Sequence, residues 1–423
     1  MKAEIITIGD ELLIGQVINT NQAYIAEKLN TAGVFVERMT TVGDDRQSIL
    51  EAFASAWSRY DVVCVTGGLG PTHDDITKTL VCEFFKTDLV RNEDVFNTVK
   101  ALFAKRNMTW TASAEGQVMV PRTCKVLHNS TGTAPGMLFE APNGSRKKYF
   151  VVMPGVPFEM KSIVDEELLP YFAKEKFGTI VRHLTLKTTG IAESTLAAEL
   201  GDVNAIIGTD GTTTLAFLPN PMGTKLRITV RETNIDAAEK KLKSAEEKIR
   251  LRAQKYIYSS DEKDLEDVVG GLLTERKLTL ATAESCTGGM IAHRITNVSG
   301  SSNYFNRGFV TYADRSKTEL LSVPKELLDQ NGAVSREVAE AMAVGARKNA
   351  GVDIALAITG IAGPTGGSPD KPVGLVWIAY ADAAGAIALK FNFGDNRLRF
   401  KERASQAALE LLRRKLLKIE LPK

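Results

Sequence analysis

The chain is constrained first by a repeated handover, in which short β-branched runs stop at Gly or Asp and helical periodicity follows. Residues 4–8 (EIITI) and 62–65 (VVCV) are such runs, each closed by a Gly-containing turn. Residues 19–32 (NTNQAYIAEKLNTA) open on capping side chains and stop before Gly33, after which 34–38 (VFVER) resume a strand. Strands separated by helices return parallel to one another, so the pattern predicts an α/β fold with a parallel sheet covered on both faces. Residues 149–153 (YFVVM) supply a last buried strand, stopped by Pro154 and Gly155.

The texture then changes twice. Between 174 and 258 the order is strand (182–188), helix (192–200), two strands (213–218 and 225–230) and a long charged helix (237–254), a small α+β unit. The Lys and Glu spacing of that helix reads as a solvated outer face. From 259 onward helices alternate with strands at 279–282, 309–312, 354–359 and 374–380. An amphipathic helix (398–419) closes the chain, its basic RRKLLK end complementing the helix dipole. At about 150 residues per domain, 423 residues suit this division into 1–173, 174–258 and 259–423. Lys and Arg total 53 against 51 Asp and Glu, a net charge of +2, which excludes a general polyanion-binding surface; nucleic acid is not expected as a partner. Four cysteines without CxxC or finger spacing suit a reducing compartment. The N-terminus carries no apolar signal region, and no run of about 18 apolar residues occurs, so a cytoplasmic location away from membranes is expected.

Chemistry concentrates at strand ends. TGGLGPTHDDIT (66–77) follows the strand VVCV; its three glycines let backbone N–H groups approach a phosphate, and Asp74 and Asp75 follow where a helix would start. The run has neither the GK[ST] of a Walker loop nor the spacing of a dinucleotide fingerprint. Two further acidic turns, Gly9-Asp10-Glu11 and Gly43-Asp44-Asp45, sit at other strand ends, where they can converge on one crevice. Clustered carboxylates beside a phosphate cradle suit a hard Mg²⁺-type cation. The competing reading is that Asp10 and Asp44 only cap helices. His73 is a third ligand, an acid, or simply an exposed loop residue.

TAESCTGG (282–289) repeats the arrangement in the last block. Ser285 is placed as a nucleophile at a helix N-terminus, whose N–H groups would hold an oxyanion. The histidines are badly placed for a Ser-His-Asp triad. Lys317 and Tyr312, in VTYADRSK, offer another base: a desolvated lysine accepts the serine proton and a tyrosine relays or orients it. Cys286 is the rival nucleophile, but Glu284 beside it would raise its thiol pKa. TGIAGPTGG (359–367) is a further Gly-rich loop for a phosphate or ribose, and residues 301–305 (SSNYF) are expected to line the same pocket.

The first loop, with Met153-Pro154-Gly155-Val156-Pro157, resembles the molybdopterin-binding fold of MoaB and MogA type. Asp75 matches that family's functional aspartate, and Leu69 replaces its threonine. That departure, with the GPTHDD run, is similar to the CinA (competence/damage-inducible) family. TAESCTGG, SGSSNYF, VTY with Lys317, GAVS (332–335) and TGIAGPTGGS resemble the PncC nicotinamide-nucleotide amidases over nearly all of 261–423. The resemblance implies a MoaB/MogA-like domain, a KH-like middle module and a PncC-type α/β amidase domain. The only GxxG of the middle module (208–211) contains an acidic residue, which argues against an RNA grip.

Two hydrolase activities are implied in turn. One deamidates nicotinamide mononucleotide without a cofactor, using Ser285, Lys317 and Tyr312 for catalysis and Thr287, Gly288, Gly289, Thr359, Gly360 and Gly363 for binding. The other hydrolyses ADP-ribose to AMP and ribose 5-phosphate. It would use Asp75 as the catalytic carboxylate, Gly67, Gly68, Gly70 and Thr72 around the diphosphate, and a divalent ion of Mg, Mn or Co type, with K⁺ as a companion, on Asp10, Asp44 and Asp74. A homodimer is implied as well. The alternatives are a pterin-type phosphate ligand in the first pocket, or a competence or recombination accessory protein with vestigial pockets.

Overall fold

Strands form where the β-branched runs predict them. The computed structural model describes residues 1–70, 72, 75–107, 109–144, 146–175, 177 and 180–421. It divides into two units, Met1–Arg182 with Val230–Lys240 and His183–Thr229 with Lys241–Lys423. The six-stranded sheet of the first unit has the order Phe35–Val42, Lys2–Ile8, Val62–Thr66, Arg146–Met153, Gly136–Asn143, Lys125–Leu127. The first four strands are parallel and the last two antiparallel. The expected parallel sheet is therefore mixed at one edge. The cause is a tight Asn143-Gly144 corner, where Asn143 pairs with Arg146 and Gly144 has φ 62°, returning the chain as a hairpin.

Because side chains alternate across a strand, the central strands feed two cores. Ile6, Val63, Val65, Phe150 and Val152 pack with Ile49 and Phe53 of the helix Arg46–Arg59. Ile5, Cys64 and Val151 pack with Ile25 and Leu29 of the helix Thr20–Thr31 on the other face. Asn19 starts that helix as predicted, its side chain accepting from the Gln22 N–H.

The middle segment forms a four-stranded sheet in the order Thr213–Asn220, Gly223–Glu232, Ile180–Thr188, Ile257–Ser259. A five-stranded sheet dominates the second unit, in the order Phe305–Val310, Leu280–Glu284, Ile354–Gly360, Leu375–Asp382, Gly385–Asn392. Its first three strands are parallel and the other two antiparallel. The strand expected at 309–312 lies earlier, because Leu280 pairs with Phe305 and Glu284 with Val310. Tyr312 thus falls beyond the strand, just before the helix Asp314–Leu321. The edge strand Gly385–Asn392 has no counterpart in the sequence reading; it is only partly buried and its pattern is weak.

The C-terminal helix, Arg397–Leu417, carries Arg414 and Lys415 in its last turn, and Arg413 and Arg414 are in addition buried, both binding Glu410. No helix among the described residues is long and apolar enough to cross a membrane.

Candidate active site

The strand Leu280–Glu284 delivers the chain to Ser285, whose N–H bonds the Ile358 carbonyl of the neighbouring strand at 3.0 Å. Gly288 and Gly289, at φ 61° and 96°, tighten the turn into the short helix Met290–Thr296. Glu284 is buried, and its carboxylate accepts from the N–H groups of Gly289 (3.0 Å), Ile291 (3.0 Å) and Ala292 (2.8 Å). The helix N-terminus expected to hold an oxyanion therefore has these three donors occupied by the protein's own carboxylate.

Ser285, Tyr312, Lys317, Thr359 and Gly360 all line one pocket of about 200 Å³. Lys317 is only 1% exposed, and its Nζ lies 3.1 Å from an Asp314 carboxylate oxygen. Tyr312 is exposed; its hydroxyl accepts from an Arg397 Nη at 2.8 Å, and the other Nη donates to the Gly363 carbonyl at 3.0 Å. The Thr359 hydroxyl donates to the Ala333 carbonyl at 2.8 Å. Arg397 and Asp314 are the lining residues that the sequence reading missed. Thr287, Gly288, Gly289 and Gly363 lie outside the lining, although Gly363 orients Arg397. Residues 301–305 do not line it either; Tyr304 is buried in the apolar core. Cys286 reaches the pocket wall, but burial, with the Glu284 carboxylate adding to it, pushes its thiol up to about 12.

In the first unit the Gly-rich turn borders a cleft of about 490 Å³ lined by Gly67, Gly68, Gly70, Asp44 and Asp75. A Cβ on Gly67 would meet the Ile8 carbonyl at 2.1 Å, and one on Gly68 the Thr77 hydroxyl at 2.1 Å. At Gly70 it would strike the Asp75 carboxylate at 2.4 Å, so glycine is what lets this backbone border the cleft. Asp75 accepts from the Thr72 N–H at 2.9 Å and from its hydroxyl; Thr72 itself is not a lining residue.

Asp10 and Asp44 bind each other's turns, the Asp10 N–H donating to Asp44 at 3.0 Å and the Asp44 N–H to Asp10 at 3.2 Å. Asp45 caps the helix Arg46–Arg59 through the Ser48 N–H at 2.9 Å, which holds its carboxyl below the usual range. Asp74 and His73 lie outside the described residues.

Three lining residues carried no motif. Asn21 donates to the Thr66 hydroxyl (3.2 Å) and the Gly155 carbonyl (2.8 Å), and Gln117 donates to the Leu69 carbonyl (3.2 Å). The Oδ1 of Asn21 and the Oε1 of Gln117 are buried without a partner among the described residues. Glu159 is the third; burial pushes its carboxyl up against a 2.7 Å hydrogen bond from Asn129.

Among the described residues, which leave out His73 and Asp74, no three His, Cys, Asp or Glu side chains cluster closely enough to hold a metal ion. Asp10 is not a lining residue, whereas Asp44 and Asp75 are. This donor set suits a Mg²⁺-type ion that keeps water and completes its shell from ligand phosphates.

The sequence profile of the CinA C-terminal domain matches residues 262–416, that of a "Probable molybdopterin binding domain" residues 4–174, and that of the damage-inducible protein CinA KH domain residues 183–259. A CinA-like protein of Chloroherpeton thalassium is 45% identical over 417 residues, covering 98% of this chain and 99% of its own. A CinA-like protein of Salinibacter ruber is 42% identical over 418 residues, covering 98% and 100%. The crystal structure of a competence/damage inducible protein from Agrobacterium tumefaciens is 41% identical and covers 38% of this chain and 99% of that one, with a TM-score of 0.35. Identity of this order along almost the whole chain, with a MoaB/MogA-like domain, a KH domain and a CinA C-terminal domain in that order, means that the chain belongs to the CinA family.

Proposed function

We propose that the Ser285 pocket deamidates nicotinamide mononucleotide to nicotinic acid mononucleotide and ammonia. The observation that carries this reading is the convergence of Ser285, Tyr312 and Lys317 on one small pocket. The Ser285 Oγ forms a bond to the carboxamide carbon while its proton passes to the lone pair of Lys317 in its neutral amine form. The C–N bond then breaks as that proton, routed past Tyr312, reaches the leaving ammonia. Water opens the resulting acyl ester, releasing the carboxylate and restoring the serine. Arg397 supplies a guanidinium at the pocket for the substrate's phosphate.

For the cleft of the first unit we propose hydrolysis of ADP-ribose to AMP and ribose 5-phosphate. Gly67, Gly68 and Gly70 border the diphosphate, and Asp44 and Asp75 would hold a divalent cation. Such a cation supplies charge neutralisation and an acidified water when bound. Glu159, a lining residue whose carboxyl is pushed up by burial, would protonate a leaving phosphate oxygen.

The test is ammonia release from nicotinamide mononucleotide by purified protein, beside Ser285→Ala, with chelator in a parallel tube. Activity that survives chelator and is lost in the variant is expected. A wild-type protein that releases no ammonia would overturn the amidase reading and favour the accessory role that the relatives' competence/damage names suggest.

A further inference from the structure

A second cavity of the second unit belongs to neither proposed activity. It measures about 520 Å³ and lies between the turn that follows Thr188 and the C-terminal helix. Ile191, Met222 and Leu411 contribute apolar wall, together with Phe391 and Phe393, whose rings stack at 5.5 Å with 15° between their planes. A volume of this order is that of small-molecule sites, and apolar walls with a few placed polar groups are their usual chemistry.

The polar side of the cavity is electrostatically incomplete. One carboxylate, Glu410, serves two guanidiniums: Arg413 at 2.7 and 2.9 Å, and Arg414 at 2.6 Å. All three side chains are at most 5% exposed, so one positive charge is buried without a counter-charge within this triad. The Arg414 Nη2 is also buried without a hydrogen-bond partner among the described residues. Arg414 also donates through Nη1 to the Glu420 carbonyl, and Glu193 lines the same cavity, yet a buried cation short of counter-charge in its own triad is costly and attracts an anion. Gly190, at φ 73°, lies directly against it; a Cβ there would sit 3.2 Å from the Arg414 Nη2 and 3.2 Å from Glu410. The absence of a side chain at this turn lets the backbone lie against the guanidinium of Arg414, a residue that lines the cavity. Arg403, exposed on the same wall, adds a second cation at the rim.

We propose that this cavity is a ligand site for a small aromatic anion, its ring against Phe391 and Phe393 and its acidic group toward Arg403 and Arg414. The test is calorimetric titration of the full chain with phenyl phosphate and with benzoate, using benzyl alcohol as the uncharged control. At least one anion should bind, and the tighter of the two identifies the acidic group. Ala407→Phe, which fills the cavity, should raise the Kd at least tenfold, and Arg403→Ala at least fivefold, with ammonia release unchanged in both. Arg403 is exposed, so its variant keeps the test valid if the filled cavity perturbs folding. No binding of either anion, binding unaltered in both variants, or benzyl alcohol binding as well as the anions would overturn the proposal.

Discussion

Ser285 and Cys286 are adjacent nucleophiles with opposite prospects. The thiol is buried, with its pKa pushed up to about 12, so it is essentially all protonated at neutral pH. Cys286→Ala should therefore keep ammonia release within about threefold of wild type, while Ser285→Ala should lose about 10³-fold or more. A dead Cys286→Ala beside an active Ser285→Ala would reverse the assignment. Lys78 gives a pH prediction. Burial pulls its ammonium down to about 8, so between pH 8 and about 10.5 the unfolded chain holds a proton that the folded chain has released. That group's contribution to stability thus rises with pH across this window and is least favourable below it. Lys78→Met should flatten the pH profile by roughly 3 kcal/mol across those limits in urea unfolding. Ser285 and Lys317 were legible because each sits in a run whose chemistry is local. Arg397 was not, since it meets Tyr312 across 85 residues, and no spacing in the sequence encodes that encounter.

At the scale of elements, the helix Met290–Thr296 is held by Glu284 and not left open to a ligand. Removing the carboxylate with Glu284→Ala leaves one buried and two partly buried N–H groups without their acceptor and should cost about 2–4 kcal/mol in urea unfolding. Glu284→Gln, which keeps an acceptor, should cost less than half of that. Equal stability of all three proteins would exclude the capping role. The sequence marked the strands that are buried on both faces, because continuous apolar runs such as VVCV have few alternatives. It marked the edges poorly. Gly385–Asn392 packs on one side only, and the register that places Phe305–Val310 earlier is set by pairing with Leu280–Glu284, a non-local property. The Asn143-Gly144 corner was present as a hairpin signal, but the strand–helix rhythm around it suggested a parallel return.

For the whole molecule, the two proposed chemistries occupy different units and should be separable. Asp75→Asn should abolish ADP-ribose hydrolysis and leave ammonia release unchanged, with chelator reproducing the same split in the wild type. Loss of both activities in Asp75→Asn would count against independent sites. Within the second unit, the C-terminal helix imposes the opposite relation. Arg397 at its start holds the Tyr312 hydroxyl, and Arg414 near its end borders the larger cavity, roughly 26 Å away at 1.5 Å per residue. An α-helix transmits position along its axis with little loss, so these two places share one rigid lever. A rigid-body tilt of the helix would move both ends together, and a break such as Ala408→Pro would uncouple the Arg397 end from the Arg414 end while leaving the Arg414–Glu410 pair within its own segment.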